Sequence, residues 1–212
     1  MRYWKKHKEK HGLTTHPDVC VGLVVATYRQ AAPLETLLQS ILAQTHRNFQ
    51  VLVVHDGPWD DRHQLDLQIR YGSDDRFEFI STEKRENAFG HNCRRTGLQL
   101  LAPRVEALGT CNGDVYYAPT YFEWMLGAMV KRDALLAYCN CIHSHTNWQP
   151  MKTALQRGKI DVGCWLADSE LVGDTLWDSK EFAGDWFYLE QLLKKIPRTQ
   201  VVKVDGFLYV HN

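Results

Sequence analysis

Polar and charged residues follow directly after the apolar segments of this chain, where they could hold a ligand. In the stretch HRNFQVLVVHDG an apolar run, residues 49–54, leads straight into His55 and Asp56. If that run is a β-strand, Asp56 lies beyond its carboxyl end, the edge at which open α/β sheets bind ligands. Residues in the same position after the other predicted strands are Thr27, Tyr28, Arg29, Arg85, Asn87, Asn112 and Asp114. We expect several of these side chains to meet in one cleft.

These side chains have the chemistry to bind a nucleotide. Tyr28 could stack on a base, and Asp56 could accept a hydrogen bond from an N–H group of that base. Four arginines could face the phosphates, namely Arg29, Arg85, Arg94 and Arg95. Neither of the common glycine-rich phosphate loops, GxGxxG or GxxxxGKS/T, follows the first predicted strand. Another group must therefore meet the phosphate charge.

A divalent cation is the usual alternative, because it neutralises the charge that develops on a diphosphate leaving group. Asp114, in the stretch TCNGD, is the candidate ligand. The competing interpretation is an ordinary turn, since an aspartate beside a glycine is more often a turn residue, by about two to one.

An alternation of strands and helices must position these residues. The run at 19–26 is continuous and rich in β-branched residues, which is typical of a strand covered on both faces. After Pro33, apolar residues recur at helical spacing. The pattern predicts strands at 19–26, 49–54, 77–82, 105–111, 134–144, 159–167 and 200–210, and helices at 34–44, 60–72, 93–102, 119–131 and 185–196. This order indicates an α/β fold with parallel strands in its first half and a mixed second half.

The composition excludes several classes of protein. The 212 residues are 44% hydrophobic and carry 25 basic and 25 acidic side chains, so a full core can form and no net charge favours nucleic acid. No apolar run is long enough to cross a bilayer, and the six cysteines lack a regular disulfide spacing, which predicts a reducing, cytoplasmic location. Residues 1–18 form a basic leader, for which a solvated tail is the ordinary interpretation and weak contact with an anionic membrane surface the alternative.

A further set of metal-ligand residue types, in CNCIHSH, does not suit a single ion. On a strand Cys139, Cys141, His143 and His145 point to one face at steps of about 6.6 Å, so the outermost pair lie about 20 Å apart. Two of the four with a distant ligand could still bind zinc.

The stretch VVATYRQAAPLETLLQSILAQTHRNFQVLVVHDGPWDD resembles the opening of the family-two nucleotide-sugar glycosyltransferases with the GT-A fold. It has the Thr-Tyr pair after the first strand, a helix similar to L-x-S-x-L-x-Q-T, and a loop similar to V-V-D-D-G-S. The resemblance implies a GT-A-like, Rossmann-related α/β fold, with a mixed, mostly parallel sheet and helices on both faces. It also implies a single domain over 19–212, with a nucleotide-binding half at 19–115 and an acceptor half at 116–212.

The resemblance assigns roles to particular residues. Asp56 matches the second aspartate of the family's pair, which contacts the uracil edge, whereas His55 replaces the first. CNGDVYYAP is similar to the metal-binding D-x-D followed by an aromatic pair and proline, so Asp114 is implied as a metal ligand and Asn112 stands in the weaker first position. In the closing FLYVHN, His211 matches the histidine that approaches the metal or diphosphate.

Two more segments match the acceptor side of the family. FAGDWFYLEQLLKK is similar to the segment with the catalytic base, a role that falls to Asp185, although Asp185 would also serve as a helix N-cap. KIDVGCWLAD matches the strand that lines the sugar pocket, with Asp161 and Trp165 able to face a sugar. NAFGHNCRRTG is similar to the loop and helix before the metal strand, and it leaves open which of Arg94 and Arg95 faces the ligand. The residues expected to bind the donor are Thr27, Tyr28, Arg29, Asp56, Arg85, Asn87, Arg94, Asn112, Gly113 and Asp161.

The resemblance implies an enzyme that moves a sugar from a nucleoside diphosphate, most often UDP, to a hydroxyl of a glycan or other acceptor. Mn²⁺ or Mg²⁺ would assist an inverting single displacement in which Asp185 deprotonates the hydroxyl. Two alternatives stay open. One is a non-catalytic nucleotide-sugar-binding module of a larger glycosyltransferase. The other is a nucleotidyltransferase, although the glycine-rich, arginine-containing loop typical of that class is missing from VVATYRQAAP.

Overall fold

The computed structural model describes residues 16–212, so most of the predicted leader, 1–15, lies outside the described residues. The strands of the described part are β1 (Val21–Thr27), β2 (Phe49–His55), β3 (Phe77–Ser81), β4 (Ala107–Asn112), β5 (Val115–Tyr117), β6 (Leu136–His143), β7 (Pro150–Met151), β8 (Trp165–Asp168) and β9 (Val201–His211). The α-helices are α1 (Ala31–Leu42), α2 (Arg62–Tyr71), α3 (His91–Leu101), α4 (Tyr121–Arg132), α5 (Ser169–Gly173) and α6 (Gly184–Lys194). The strands join in one sheet of order β3-β2-β1-β4-β8-β6-β9-β5, with β7 paired to β6.

The first four strands in the chain are parallel, as the sequence predicts. β1 pairs with β2 on one side and β4 on the other, and β2 pairs with β3. Thr27 is opposite His55, and Ala26 is opposite Asn112. Because these strands end level with one another, the residues just beyond them share one edge of the sheet.

Helices α1 and α3 cover this part of the sheet through apolar stripes. In α1 the side chains of Leu34, Leu37, Leu38 and Ile41 are completely buried, and their spacing places them on one helix face. Helix α3 lies very close to β1: a Cβ atom added at Gly97 would lie only 2.4 Å from Cγ1 of Val24. The glycine at 97 therefore sets the distance between helix and sheet.

The second half of the sheet is mixed. β8 is antiparallel to both β4 and β6, β9 is parallel to β6, and β5 is antiparallel to β9. In these registers His211 is opposite both His143 and Val115. The last residues of β6 and β9 are thus brought beside the start of β5.

The predicted strand at 159–167 is wrong in its first part. The strand β8 begins at Trp165, and residues 162–164 form a 3-10 turn that begins at Asp161. The side chain of Asp161 accepts a hydrogen bond from the N–H of Gly163, 3.3 Å away, which favours the turn over a strand. Trp165 is 1% exposed and packs in the core, so it does not face a ligand.

Several smaller predictions also need correction. The helix predicted at 93–102 begins two residues earlier, at His91, and the strand predicted from 105 begins at Ala107. The sequence pattern does not predict the short elements β5, β7 and α5, because two to five residues are too few to show a hydrophobic period.

Candidate active site

Two adjoining cavities open at the carboxyl ends of the strands. The smaller, of about 290 Å³, is lined by Ala26, Thr27, Tyr28, Gln30, Asp56, Arg85, Asn87, Phe89, Gly90, Asn112 and Asp114. The larger, of about 730 Å³, has among its lining residues Phe89, Arg94, Asn112, Asp161, Asp185 and His211. Phe89 and Asn112 line both cavities. The two carboxylates expected to do chemistry, Asp114 and Asp185, thus face neighbouring cavities that meet at Asn112.

Asp56 is buried at the back of the smaller cavity and holds the loop in front of it. Its Oδ1 accepts hydrogen bonds from the N–H of Glu86 at 3.0 Å and from Nδ2 of Asn92 at 2.8 Å. Its Oδ2 accepts from the N–H of Asn87 at 3.0 Å. A carboxylate has about four acceptor sites, so one site remains to face the cavity.

Tyr28 belongs to a cluster of rings and cations beside this cavity. The guanidinium of Arg85 lies 3.7 Å from the Tyr28 ring centroid, and the His55 ring stacks on Tyr28 at 5.4 Å. His55 is completely buried, donates from Nδ1 to the carbonyl of Gly57 at 2.7 Å, and stacks in turn on Trp59. The histidine that replaces the first aspartate of the family motif is therefore part of the support behind Tyr28 and lines neither cavity.

Two predicted donor contacts lie outside the lining of both cavities. Arg29 has a left-handed backbone, with φ 48°, and forms an ion pair with Asp60 in which both side chains are about half exposed. At Gly113 an added Cβ would lie 2.8 Å from Oγ1 of Thr27. Arg29 is thus held in an ion pair outside the lining of both cavities, and Gly113 lets the turn before β5 pack against the end of β1.

Of the two candidate arginines, Arg94 faces the larger cavity. It donates to the carbonyl oxygen of Phe89 at 2.7 Å and to Oδ1 of Asn112. Its burial lowers the pKa of the guanidinium, which the nearby Asp185 carboxylate partly offsets. Arg95 instead donates to the backbone oxygen of Trp177 at 2.6 Å. The amide oxygen of Asn112, the weak metal ligand expected from the sequence, is therefore already bound by Arg94.

Asp114 and His211 have the donor atoms for a divalent cation. Oδ1 of Asp114 is buried and accepts no hydrogen bond from any residue of 16–212, and Nε2 of His211 lies 3.6 Å from it. Its other oxygen, Oδ2, is 3.3 Å from Nε2 of Gln30. An unsatisfied buried carboxylate oxygen beside an imidazole nitrogen fits a Mn²⁺ or Mg²⁺ ion, with diphosphate oxygens and water as further ligands.

The other side of His211 contacts Asp161. Nδ1 of His211 and Nε2 of His143 lie 2.9 Å and 3.3 Å from the same carboxylate oxygen, Oδ2 of Asp161. Burial acts to raise the pKa of Asp161, but the hydrogen bonds from His143, His211 and Tyr209 outweigh it, so the pKa lies well below its usual value. Both oxygens of Asp161 are occupied, although the residue lines the larger cavity; direct contact with a sugar stays a prediction.

The His211 ring is also shifted in its pKa. Burial acts to lower the pKa, but Asp114 and Asp161 outweigh that effect and raise it to about 10. Nε2 of this ring also lies 3.3 Å from Nδ2 of Asn112, whose amide oxygen is bound by Arg94, so the NH₂ group donates to Nε2. A metal ion at Nε2 would take the place of that hydrogen bond.

His143, Asp161 and His211 present three ligand atoms within 4.8 Å of one another, which also raises the possibility of a metal ion between them. The hydrogen bonds oppose it. Nδ1 of His143 accepts the N–H of His145 at 3.0 Å, so the proton of a neutral His143 ring is on Nε2, the atom that would have to bind the ion. The three residues therefore form a hydrogen-bonded network.

Asp185 lies in the first turn of α6, with its side chain facing the larger cavity. The N-cap of this helix is Ala183, so the expected N-cap role of Asp185 is wrong. Oδ1 of Asp185 accepts the N–H of Trp186 at 2.8 Å. Burial raises the pKa of Asp185, and the negative charge of Asp161 raises it further. A carboxylate with a raised pKa can act as a general base near neutral pH.

Two features of the larger cavity are not predicted from the sequence. One is the place of His143, which the sequence offers only as a zinc ligand; its position at the end of a strand is the available signal. The other is a pair of exposed rings, Phe89 and Phe182, which are 58% and 79% exposed and meet edge to face at 5.4 Å. Both rings line the larger cavity. No pattern in the sequence indicates that these two loops meet.

The fold is that of the GT-A glycosyltransferases. The sequence profile of the family described as Glycosyl transferase family 2 matches residues 23–201, so the chain belongs to that family. The resemblance stated from the sequence is thereby confirmed, and the nucleotidyltransferase alternative is set aside.

Similar proteins include a putative glycosyltransferase and a mannosyltransferase. A putative glycosyltransferase EpsH of Bacillus subtilis (strain 168) is 32% identical over 107 residues, 50% of this chain and 29% of that protein. The crystal structure of S. aureus TarS 1-349 in complex with UDP-GlcNAc has a TM-score of 0.75 at 15% identity and covers 90% of this chain and 57% of that one. The mannosyltransferase PcManGT from Pyrobaculum calidifontis, in complex with GDP-Man and Mn²⁺, has a TM-score of 0.68 at 14% identity, covering 99% and 63%. The chain thus spans less than two thirds of these relatives.

Within residues 16–212, none of the helices combines the length and the apolar character needed to cross a bilayer.

Proposed function

We propose that this chain transfers a sugar from a nucleoside-diphosphate sugar, with UDP as the nucleotide, to a hydroxyl group of a glycan or other acceptor. The observation that carries the proposal is the junction of the two cavities at Asn112, with Asp114 on one side and Asp185 on the other. A donor whose diphosphate lies near Asp114 would extend its sugar past Asn112 toward Asp185. The acceptor would enter through the larger cavity.

The smaller cavity suits the nucleoside. The free acceptor site of Asp56 can accept a hydrogen bond from an N–H group of the base. The guanidinium of Arg85 lies over the Tyr28 ring and can contact a phosphate. If that guanidinium moves aside, the base can stack on the Tyr28 ring. Among the similar structures, TarS is in complex with UDP-GlcNAc and PcManGT with GDP-Man. The preference for uracil rests on the place of Asp56 in the sequence.

Asp114 and His211 would hold a Mn²⁺ or Mg²⁺ ion. When bound, the ion supplies positive charge to the departing diphosphate. The orphaned oxygen of Asp114 supports this assignment, and so does the presence of Mn²⁺ in the PcManGT complex.

Asp185 would act as the general base. Its carboxylate takes the proton of the acceptor hydroxyl while that oxygen forms a bond to the anomeric carbon. The bond from that carbon to the diphosphate oxygen breaks with its electron pair, which leaves on the nucleoside diphosphate. Attack from the face opposite the leaving group inverts the configuration, and the separate cavities for the two carboxylates suit such an in-line arrangement.

The test compares wild type with Asp185→Asn in turnover and in UDP binding. Calorimetry with UDP-, GDP- and dTDP-sugars, with and without Mn²⁺, identifies the donor first. Asp185→Asn should abolish transfer and leave UDP affinity within about twofold, because the amide keeps the size of the carboxylate but cannot accept a proton. Transfer by Asp185→Asn at the wild-type rate would exclude Asp185 as the base.

A second candidate function is a nucleotide-sugar-binding module without activity. It is favoured by Asn112, which stands where the family motif has its first aspartate and whose amide oxygen is bound by Arg94. A wild-type protein that binds UDP-sugars but transfers none of them to any acceptor or to water would support this module.

We also propose that the protein works in a reducing compartment such as the cytoplasm. All six cysteines are free thiols, and five of them are buried. A protein isolated with its thiols oxidised to disulfides would contradict this proposal.

A further inference from the structure

We propose that Asp161 is a positioning residue for the cation site, and that it fixes the His211 ring so that Nε2 faces Asp114. The inference rests on the proposed metal-assisted function. It gives Asp161 a role other than the sugar contact expected from the sequence.

The proton positions in the network follow from its donors and acceptors. The N–H of His145 occupies Nδ1 of His143, so His143 offers its Nε2 proton to Oδ2 of Asp161. A carboxylate only accepts, and therefore Nδ1 of His211, 2.9 Å from the same oxygen, must also carry a proton. Nδ1 of His211 is thus committed to Asp161. Nε2 accepts a hydrogen bond from Nδ2 of Asn112 at 3.3 Å, and it is the nitrogen that a cation could bind in place of that contact.

The Asp161 carboxylate is itself prevented from turning. Its other oxygen, Oδ1, accepts the hydroxyl of Tyr209 at 2.7 Å and the N–H of Gly163 at 3.3 Å. The side chains of His143, Asp161 and His211 are only 10%, 12% and 14% exposed, so little water competes for these bonds. Oδ2 therefore stays directed at the two histidines.

The backbone supports the same arrangement. His211 is opposite His143 in the pairing of β6 with β9, and opposite Val115 in the pairing of β5 with β9. Asp114 directly precedes Val115, and its Oδ1 lies 3.6 Å from Nε2 of His211. The order Asp161, His211 and Asp114 has the form of a carboxylate that orients a histidine toward a metal ion, an arrangement whose loss typically weakens metal binding by about 10–100-fold.

Asp161→Asn is the direct test. Gly163 donates its N–H and holds the amide oxygen on its own side, so the new amide N–H₂ group would face the two histidines. His211 could then accept at Nδ1 only by carrying its proton on Nε2, the atom that should bind the cation. We expect the affinity for Mn²⁺ in the presence of UDP, measured by calorimetry, to fall by about 10–100-fold.

Asp205→Asn is the matched control, because it makes the same chemical change on an exposed residue of the same strand, β9. Its amide oxygen can still accept the hydrogen bond from Nδ2 of Asn140, and position 205 is six residues from His211 in the strand. Its Mn²⁺ affinity should stay within about twofold of wild type. Side-chain ¹H–¹⁵N spectra of the Mg²⁺·UDP complexes should show His211 protonated at Nδ1 in wild type and in Asp205→Asn, but at Nε2 in Asp161→Asn.

The outcomes separate this inference from the proposed function. If Asp161→Asn is folded and binds Mn²⁺ with UDP as wild type does, Asp161 is not a positioning residue, whereas the function stands. If wild type binds no Mn²⁺ with UDP, the metal-assisted function and the inference both fail. Should Asp161→Asn not fold, Tyr209→Phe is the deciding variant. It leaves Oδ1 of Asp161 with the N–H of Gly163 as its remaining donor and should weaken Mn²⁺ binding several-fold. Wild-type affinity in Tyr209→Phe would overturn the inference.

Discussion

We assign Asp56 two roles: it holds the loop at residues 86 and 87, and it accepts a hydrogen bond from the base of the nucleotide. A single substitution can separate the two roles, because the loop is held before any ligand binds. Asp56→Asn keeps one oxygen, which can continue to accept from Glu86 and Asn92, but it places an N–H₂ group against the N–H of Asn87. One charge-assisted hydrogen bond is lost and two donors are left facing each other. A bond to a charged group contributes about 1.5–3 kcal/mol, and an unpaired buried donor costs about 1–3 kcal/mol.

Because the Asn87 contact is only partly buried, we expect Asp56→Asn to lower the free energy of unfolding by about 2–4 kcal/mol. Urea denaturation without ligand measures this loss. The control is Asp60→Asn, which makes the same change in an exposed ion pair with Arg29 and should leave the free energy of unfolding close to that of wild type.

Calorimetry with UDP then tests the second role. UDP affinity should fall in Asp56→Asn and stay at the wild-type value in Asp60→Asn. If Asp56→Asn denatures at the same urea concentration as Asp60→Asn, the three hydrogen bonds do not stabilise the loop, and the reasoning from the buried carboxylate is refuted.

Three further results are expected. Burial raises the pKa of Asp185, so the charged form of Asp185 destabilises the fold at a pH above that pKa. Turnover should fall as the pH drops through this pKa, because the base becomes protonated. Asp185→Asn should melt at a higher temperature than wild type at neutral pH, but not at acidic pH. An unchanged melting temperature at neutral pH would contradict the burial argument. Gly97→Ala should lower the free energy of unfolding, measured by urea denaturation, by about 1–3 kcal/mol, because the added Cβ would lie 2.4 Å from Val24. If the variant is as stable as wild type, α3 can move away from β1. Phe182→Ala should raise the KM for the acceptor and leave UDP affinity unchanged. Its free energy of unfolding should stay within about 0.5 kcal/mol of wild type, since the ring is 79% exposed. A lower UDP affinity would instead place the ring on the donor side.

The order of the strands and helices, and the edge of the sheet at which the site lies, follow from the sequence alone. Long apolar runs and helical spacing mark β1, β2 and α1 clearly, since each element shows several periods of its own pattern. Parallel strands end at a common edge, and therefore the pattern alone places Thr27, Asp56 and Asn112 together.

Contacts between distant parts of the folded chain select which side chains at that edge face the cavities and which hold the site together. Arg29 pairs with Asp60, and the amide oxygen of Asn112 is bound by Arg94, although the sequence predicts that both contact the ligand. These choices depend on rotamers and on neighbours that are distant in the chain.

The network of His143, Asp161 and His211 shows the physical reason most clearly. Its members come from the end of β6, from a turn that the sequence predicted as strand, and from the end of β9. Strand register brings the two histidines side by side, and a one-residue slip of register would direct one of them to the opposite face of the sheet. Register and the turn at Asp161 are fixed by contacts across the whole sheet, and no local pattern in the sequence carries that information.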